Sequence, residues 1–417
     1  MGTIAGRKPP DASQAPIGRP RTVLIAPDSF KGSLTSVEVA RAMADGWARA
    51  RPHDAIVLCP LADGGEGTLE AVAAAGGWGW QETPATDPLG RTIQARWLRS
   101  ADGTRAVIEM AESSGLSRIT PAERDAVHAT SEGLGQVLCR VAASGATDVI
   151  LGIGGSATTD GGFGMLAALA MAYDPRPKGD PRGIPDDLDQ VYLDDLDVDL
   201  RRIRLSVASD VTNPLLGPTG AAAVYGPQKG ATREQVAELD PRLAHFADLL
   251  EKASTAPAPR RDQPGAGAPP ALLRDRPGAG AAGGVGFALL AIQDRFASFT
   301  LRPGVELVME ATDFDARLAA ADLVITGEGR IDAQTAFGKT ALGVARRAQA
   351  AGVPCIAIGG GVEPEGIDAL AAVGAIAVPV VERPMSVEQA MAAGAAPLER
   401  CGERLARLLS PGLDHGG

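Results

Sequence analysis

Four cysteines and four histidines in 417 residues leave little room for thiol or imidazole chemistry. Cys59, Cys139, Cys355 and Cys401 stand far apart and form no C-x-x-C pair. Neither a disulfide framework nor a zinc site is readable, and a reducing compartment is expected. His53, His128, His245 and His415 are equally scattered, which excludes an imidazole metal centre or a histidine triad. Positive charge is also short: 40 Lys and Arg face 51 Asp and Glu, a net charge of −11. That balance argues against nucleic acid or an anionic membrane as partner, since both select a basic surface. No run of about 18 apolar residues is present to span a bilayer. The leading MGTIAGRKPPDASQAPIGRPR, residues 1–21, lacks a signal-peptide core and reads as a disordered leader. A soluble, cytoplasmic protein is expected.

Glycine (52) and proline (31) are plentiful, so tight turns are numerous, while 45% hydrophobic residues suffice for large cores. The length predicts two domains. Short apolar runs alternate with amphipathic segments. TVLIAPD (22–28) predicts a strand and SVEVARAMADGWARA (36–50) a helix opened by a Thr35–Glu38 capping box. AIVLCPLAD, DVILGIGG, RLSVASD, DLVITGEG, VPCIAIGGG and GAIAVPVV predict further strands, several followed by helices. Apolar strands alternating with helices point to an α/β fold with a parallel sheet. Between residues 82 and 115, DPLGRTIQARWLR and TRAVIEMAES look two-sided and are joined by the turn SADG, which predicts a partly antiparallel sheet. The expected layout is a doubly wound Rossmann- or flavodoxin-like domain from 22–80 and 290–410, with a mixed-sheet α/β domain, 81–289, inserted into it. Residues 253–280, dense in Pro, Ala, Gly and Arg, read as an exposed loop in that insert.

Polar residues recur where parallel strands end, the place where open α/β sheets bind ligands. Asp28, Ser29 and Lys31 follow the first strand, and Asp63 and Glu66 the second. Ser156, Thr158, Thr159 and Asp160 follow DVILGIGG, Asp210 and Asn213 follow RLSVAS, and Glu328, Arg330 and Asp332 follow DLVIT. GIGGSATTDGGFG (152–164), between a strand and a helix, could cradle an anion on the backbone of Gly154 and Gly155 and on three hydroxyls. It also fits G-x-G-x-x-A, so an NAD-dependent dehydrogenase is a rival reading. A dinucleotide site wants an acidic residue at the end of the next strand, however, and Asp174 falls in a loop-like stretch. AFGKT (336–340) ends like a Walker A loop, but Ala333 stands where that loop needs glycine. Carboxylates beside hydroxyl-lined turns suggest phosphoryl transfer from ATP with Mg²⁺. Lys31, Lys229 and Lys339, each beside glycine, are candidate phosphate cations. Asp63, Glu66 and Glu328 are candidate metal ligands, and Asp210 is the first choice of base, with Asp28 and Asp332 as alternatives.

APDSFKGSLTS, PLADGGEGTLEA, GIGGSATTDGGFGMLAALA, DVTNPLLGPTGAAAVYGPQKGA, PGAGAAGGVGFALLA and ITGEGRIDAQTAFGKTALGVA together resemble the bacterial glycerate kinases, in the order that family shows them. The type resembled is related to the glyoxylate and galactarate pathway enzymes, and the resemblance runs from about residue 22 to 381. It implies two α/β domains with the active site in the cleft between them. It also implies ATP- and Mg²⁺-dependent phosphorylation of D-glycerate at the 2-hydroxyl. On that reading GKT belongs to the family's own motif. Lys31 and the 154–160 loop would hold phosphate, Asn213 would contact substrate or phosphate, Lys339 would sit at a phosphate or at the substrate carboxylate, and Arg330 would pair with the glycerate carboxylate. Members often carry Cys where this chain has Ser209 and His where it has Phe337, so neither replaced side chain is expected to be catalytic. A kinase of tartronate or a tetronate, or one forming 3-phosphoglycerate, would keep the same motifs. The oligomeric state stays open, a homodimer included.

Overall fold

The computed structural model describes residues 19–175, 182–196, 198–254, 272–337 and 340–409. Strands β1 (Thr22–Pro27), β2 (Ala55–Leu58), β3 (Trp78–Thr86), β4 (Thr92–Ser100), β5 (Arg105–Glu109), β6 (Asp148–Gly152) and β7 (Ala172–Asp174) come first in the chain. β8 (Gln190–Tyr192), β9 (Arg204–Ala208), β10 (Ser298–Arg302), β11 (Leu323–Ile331), β12 (Cys355–Val362) and β13 (Ala375–Pro379) follow. They fall into two compact units, Met1–Pro60 with Asp313–Gly417, and Leu61–Thr312. The junctions therefore sit at 60/61 and 312/313, not at 80/81 and 289/290. The cause is hydrogen bonding. β3 pairs along its whole length with β4, and β10 pairs with β9, so both flanking segments are tied into the second unit's sheet.

The first unit holds a wholly parallel sheet in the order β13-β12-β11-β1-β2. The run of apolar residues in β1 is explained by its central place: Val23, Leu24, Ile25 and Ala26 are all fully buried. The helix Ser36–Ala50 opens with the expected capping box, Thr35 Oγ1 accepting from the Glu38 N–H and Glu38 accepting from the Thr35 N–H. It buries Val39, Ala40, Met43 and Trp47 and packs on the helix Ala396–Leu408. The crossing is close because two glycines meet backbone. A Cβ on Gly46 would lie 1.8 Å from the Glu399 carbonyl oxygen, and one on Gly402 would lie 2.5 Å from that of Met43. The chain is tied down from Arg19 onward, since buried Arg51 donates to the Arg19 carbonyl and pairs with Asp54. Expectations for the leader before Arg19 lie outside the described residues.

The second unit carries a six-stranded sheet in the order β10-β9-β6-β5-β4-β3. β10, β9, β6 and β5 are mutually parallel, and β5, β4 and β3 antiparallel, the mixed character expected from the two-sided strands. Phe163, Phe246 and Phe287 stack edge-on in the core beneath it. The expected loop 253–280 needs correction at its end. From Leu272 the chain is packed: Arg274 pairs with Asp248 and Glu251, Leu215 N–H donates to the Arg274 carbonyl, and Gly280 N–H to that of Asn213. Residues 255–271 lie outside the described residues. Among the described residues no helix is long and apolar enough to cross a membrane.

Gly46→Ala adds a methyl group where backbone already sits. It is expected to lower stability by about 1–3 kcal/mol through overpacking, although alanine is the better helix former by about 1 kcal/mol. Urea unfolding followed by circular dichroism measures it, and a raised midpoint would contradict the tight crossing.

Candidate active site

In the second unit three strand-end segments meet backbone to backbone. β6 runs into Gly152-Ile153-Gly154-Gly155, and the turn Asp63–Glu66 lies directly across it. A Cβ on Gly152 would be 2.4 Å from the Gly64 carbonyl oxygen, and one on Gly154 would be 2.6 Å from Gly65 Cα. Gly154 N–H donates to the Gly64 carbonyl at 3.3 Å. The third segment follows β9: Asp210 Oδ1 accepts from the Gly304 N–H at 3.0 Å, and Gly304 itself abuts the Asp63 carbonyl.

Asp63 and Asp210 therefore face the same small region. Asp63 is exposed, with Oδ1 accepting from the Gly65 N–H at 3.1 Å. Asp210 is exposed as a residue, yet neighbouring protein takes part of the water from its carboxyl. Lost hydration raises its pKa to about 6; the Gly304 N–H pulls it down, while the negative charges of Asp63 and Glu306 push it up. Glu66 is exposed beside them. The residues near this turn can thus offer carboxylate oxygens to a cation or a proton.

Two residues read as ligand-binding have other partners. Lys229 is 2% exposed; its Nζ donates to Ser156 Oγ at 2.9 Å and to the Thr158 carbonyl at 2.5 Å. Burial lowers its pKa to about 7 against the opposing pull of Asp160. Asp160 is buried as well and accepts from Ser131 N–H and Oγ and from the N–H groups of Gly162 and Gly164. Burial raises its pKa and these donors hold it down. Both groups fasten the 156–164 loop from inside, so each expected phosphate contact is here a contact within the protein. Asn213 is likewise engaged, donating to the Thr219 carbonyl and accepting from Tyr225. The hydroxyls of Thr158 and Thr159 are buried without a partner among the described residues.

The first unit gathers its own group at the carboxyl ends of β1 and β11, where the strand order switches direction. Asp28 accepts from the Ser29 N–H at 2.6 Å and from Thr340 Oγ1 at 2.5 Å. Glu328 is buried and accepts from Thr335 Oγ1 at 3.0 Å. Asp332 caps the turn Ala333–Phe337 through the Gln334 N–H. Arg330 is exposed and pairs with Glu363 and Asp332, so its expected substrate carboxylate meets a guanidinium already occupied. Lys31 is exposed in the turn after β1. Lys339 lies outside the described residues. Among the described residues no three His, Cys, Asp or Glu side chains are placed to hold a metal ion.

Sequence reasoning missed Glu109, Ser131 and Gly304. Glu109, at the end of β5, is 3% exposed and accepts from the N–H groups of Gly67 and Leu69. A lone Glu closing the apolar run AVIE was its only signal. Asp174, the acidic residue weighed for a dinucleotide, ends the short antiparallel β7–β8 ribbon, away from the parallel sheet such a site requires.

The model of the glycerate kinase family matches residues 23–410. The chain belongs to the glycerate kinase family. Its curated relatives include a glycerate kinase of Halalkalibacterium halodurans, 42% identical over 92% of this chain and 97% of that one. The glycerate 2-kinase of Escherichia coli is 41% identical over 84% and 89% respectively. A crystal structure described as glycerate kinase 2 from Salmonella typhimurium LT2 superposes with a TM-score of 0.75 at 38% identity, covering 94% of this chain and 98% of that one. Membership in this family makes the chain a kinase, and the two-sheet α/β fold agrees with that structural neighbour.

Asp160→Ala and Lys229→Met each leave buried polar groups unpaired. Each is expected to cost about 3–5 kcal/mol, the loss typical of breaking a buried charged network. Asp63→Ala, at an exposed position, is expected to stay within about 0.5 kcal/mol. Denaturant unfolding of the three variants separates the loop-fastening charges from the open carboxylate.

Proposed function

We propose that the chain transfers the γ-phosphoryl group of ATP to the 2-hydroxyl of D-glycerate, giving 2-phosphoglycerate and ADP, and that it works in the cytoplasm. The observation that carries this reading is Asp210. In a chain of the glycerate kinase family, a carboxylate with a pKa near 6 stands beside a second carboxylate at the carboxyl ends of a parallel sheet. The substrate hydroxyl oxygen attacks phosphorus, its proton passes to Asp210, and the bond to the bridging oxygen breaks as ADP leaves. A base whose pKa lies just below neutral is unprotonated at working pH yet still accepts a proton in the transition state.

Mg²⁺ suits the donor set around Asp63. It favours one or two carboxylates completed by phosphate oxygens and water over an all-protein cage, and Asp63 with Glu66 supplies such a pair. When bound, the ion neutralises charge on the transferring phosphoryl group. The fastened loop leaves the backbone of Gly154 and Gly155 accessible in a fixed position, the preorganisation that phosphoryl transfer relies on. Lys31 and Lys339 are the cations that would meet phosphate.

³¹P NMR of the protein with ATP, Mg²⁺ and D-glycerate, beside L-glycerate and tartronate, tests the reaction. A 2-phosphoglycerate resonance from D-glycerate alone is expected. The 3-phospho isomer would overturn the choice of hydroxyl, and unchanged ATP the whole reading. Asp210→Asn is expected to lower kcat at least about 10²-fold, the usual contribution of a general base. In the native protein the raised pKa places protonation of the base near pH 6, so kcat/KM is expected to fall as pH drops through that value. An unchanged rate at pH 5 would remove Asp210 from this role.

A further inference from the structure

We infer that Glu109, a buried residue outside the catalytic set, is the positioning residue for Asp63. The inference rests on the reading that Asp63 acts in phosphoryl transfer. Glu109 closes β5, whose register places it opposite Gly152 at the end of β6, and the following Met110 N–H donates to the Gly152 carbonyl. Its two carboxyl oxygens accept from different backbone groups, Oε1 from the Gly67 N–H and Oε2 from the Leu69 N–H, each at 3.2 Å. These bracket Thr68, the first residue of the helix Thr68–Ala74.

From Thr68 the connection continues to the carboxylate itself. Thr68, fully buried, donates through Oγ1 to the Gly65 carbonyl at 2.7 Å. The N–H of that same Gly65 donates to Asp63 Oδ1 at 3.1 Å. A relay of three hydrogen-bonded steps, joined by the peptide bonds around Thr68, thus runs from the end of β5 to the carboxylate facing Asp210: Glu109 to Gly67 and Leu69, Thr68 to Gly65, Gly65 to Asp63. The Gly64 and Gly65 backbone is wedged at the same time against Gly152 and Gly154. The turn therefore has two constraints: close contact and the Gly154–Gly64 hydrogen bond from β6, and the hydrogen bonds from Glu109. The β6 bond holds Gly64, whereas the Glu109 bonds act through Thr68 on Gly65, the residue that donates to Asp63.

A carboxyl group is suited to this place because both of its oxygens accept. Burial pushes the Glu109 carboxyl up to about 8, against the pull of the two backbone donors, with Glu70 and Glu112 adding to the rise. Glutamine keeps the size but turns one acceptor into an NH₂ group facing an N–H, so one of the two bonds is lost in either protonation state of the native residue.

The test is a double-mutant cycle of Glu109→Gln with Asp63→Asn. It is read by kcat, by KM for ATP and by Mn²⁺ binding to the enzyme–ADP complex in electron paramagnetic resonance. Glu109→Gln is expected to lower kcat and weaken Mn²⁺ binding by about 10–100-fold, the range for groups that orient metal ligands, and to change nothing further once Asp63 is Asn. Equal losses in both backgrounds would overturn the inference and leave the role of Asp63 standing. An Asp63→Asn protein with native kcat and Mn²⁺ affinity would overturn both. Thr68→Val breaks the relay one step further on without touching Glu109, and it decides the matter if Glu109→Gln does not fold. It is expected to show the same Mn²⁺ loss, with Thr68→Ser restoring native binding; native binding by Thr68→Val would sink the relay.

Discussion

The contact on which the second unit's site depends is backbone against backbone. Gly64 and Gly65 lie on Gly152 and Gly154, and Gly304 lies on Asp63, at separations that no side chain could occupy. The left-handed backbone at Gly64 and Gly155 is open to glycine at little cost, which lets the turns close where they do. Three strand ends are thereby drawn together, and the charge of Asp63 acts on Asp210 although the two are 147 residues apart in sequence. Any larger residue at these glycines would separate the strand ends and move the carboxylates with them.

Around this contact the charged residues divide by burial. Lys229 and Asp160 are almost completely enclosed and each finds partners among loop groups, because an unpaired buried charge costs several kcal/mol. They give the 156–164 loop a fixed shape. Asp63, Glu66 and Asp210 are exposed to solvent. The inner charges hold the scaffold and the outer ones are available to react. This division explains how a loop of small, conformationally free residues keeps one shape from its own internal hydrogen bonds.

The first unit repeats the arrangement at the switch in its strand order. Asp28 follows β1 and Glu328 sits within β11, and each is held by a threonine hydroxyl from the following segment, Thr340 for Asp28 and Thr335 for Glu328. Both threonines belong to the GKT-bearing motif TGEGRIDAQTAFGKT. That motif resembles a Walker A loop only at its last three residues. Among its described residues, Thr335 and Thr340 supply hydroxyls to strand-end carboxylates, which needs threonines at a set distance from the strand.

Much of this was legible in the chain itself. Apolar runs such as TVLIAP can be buried only between helices, so the parallel sheet follows from hydrophobic pattern, and Thr35-x-x-Glu38 can cap only the helix that follows it. Six motifs in family order identify the kinase. Those signals are local, carried by residues within one turn or one strand of each other. Which polar residues face ligand and which face protein was settled only by folding. Ser156, which takes the Lys229 bond, lies 73 residues away, Ser131 lies 29 residues from Asp160, and Leu69 lies 40 residues from Glu109, and no spacing within a motif records these pairs. The unit boundary at residues 60/61 likewise depends on β3 finding β4 and on Glu109 reaching the Thr68 helix, pairings that exist only once the second sheet is assembled. A sequence states which groups are present; burial and long-range hydrogen bonds determine what remains free to react.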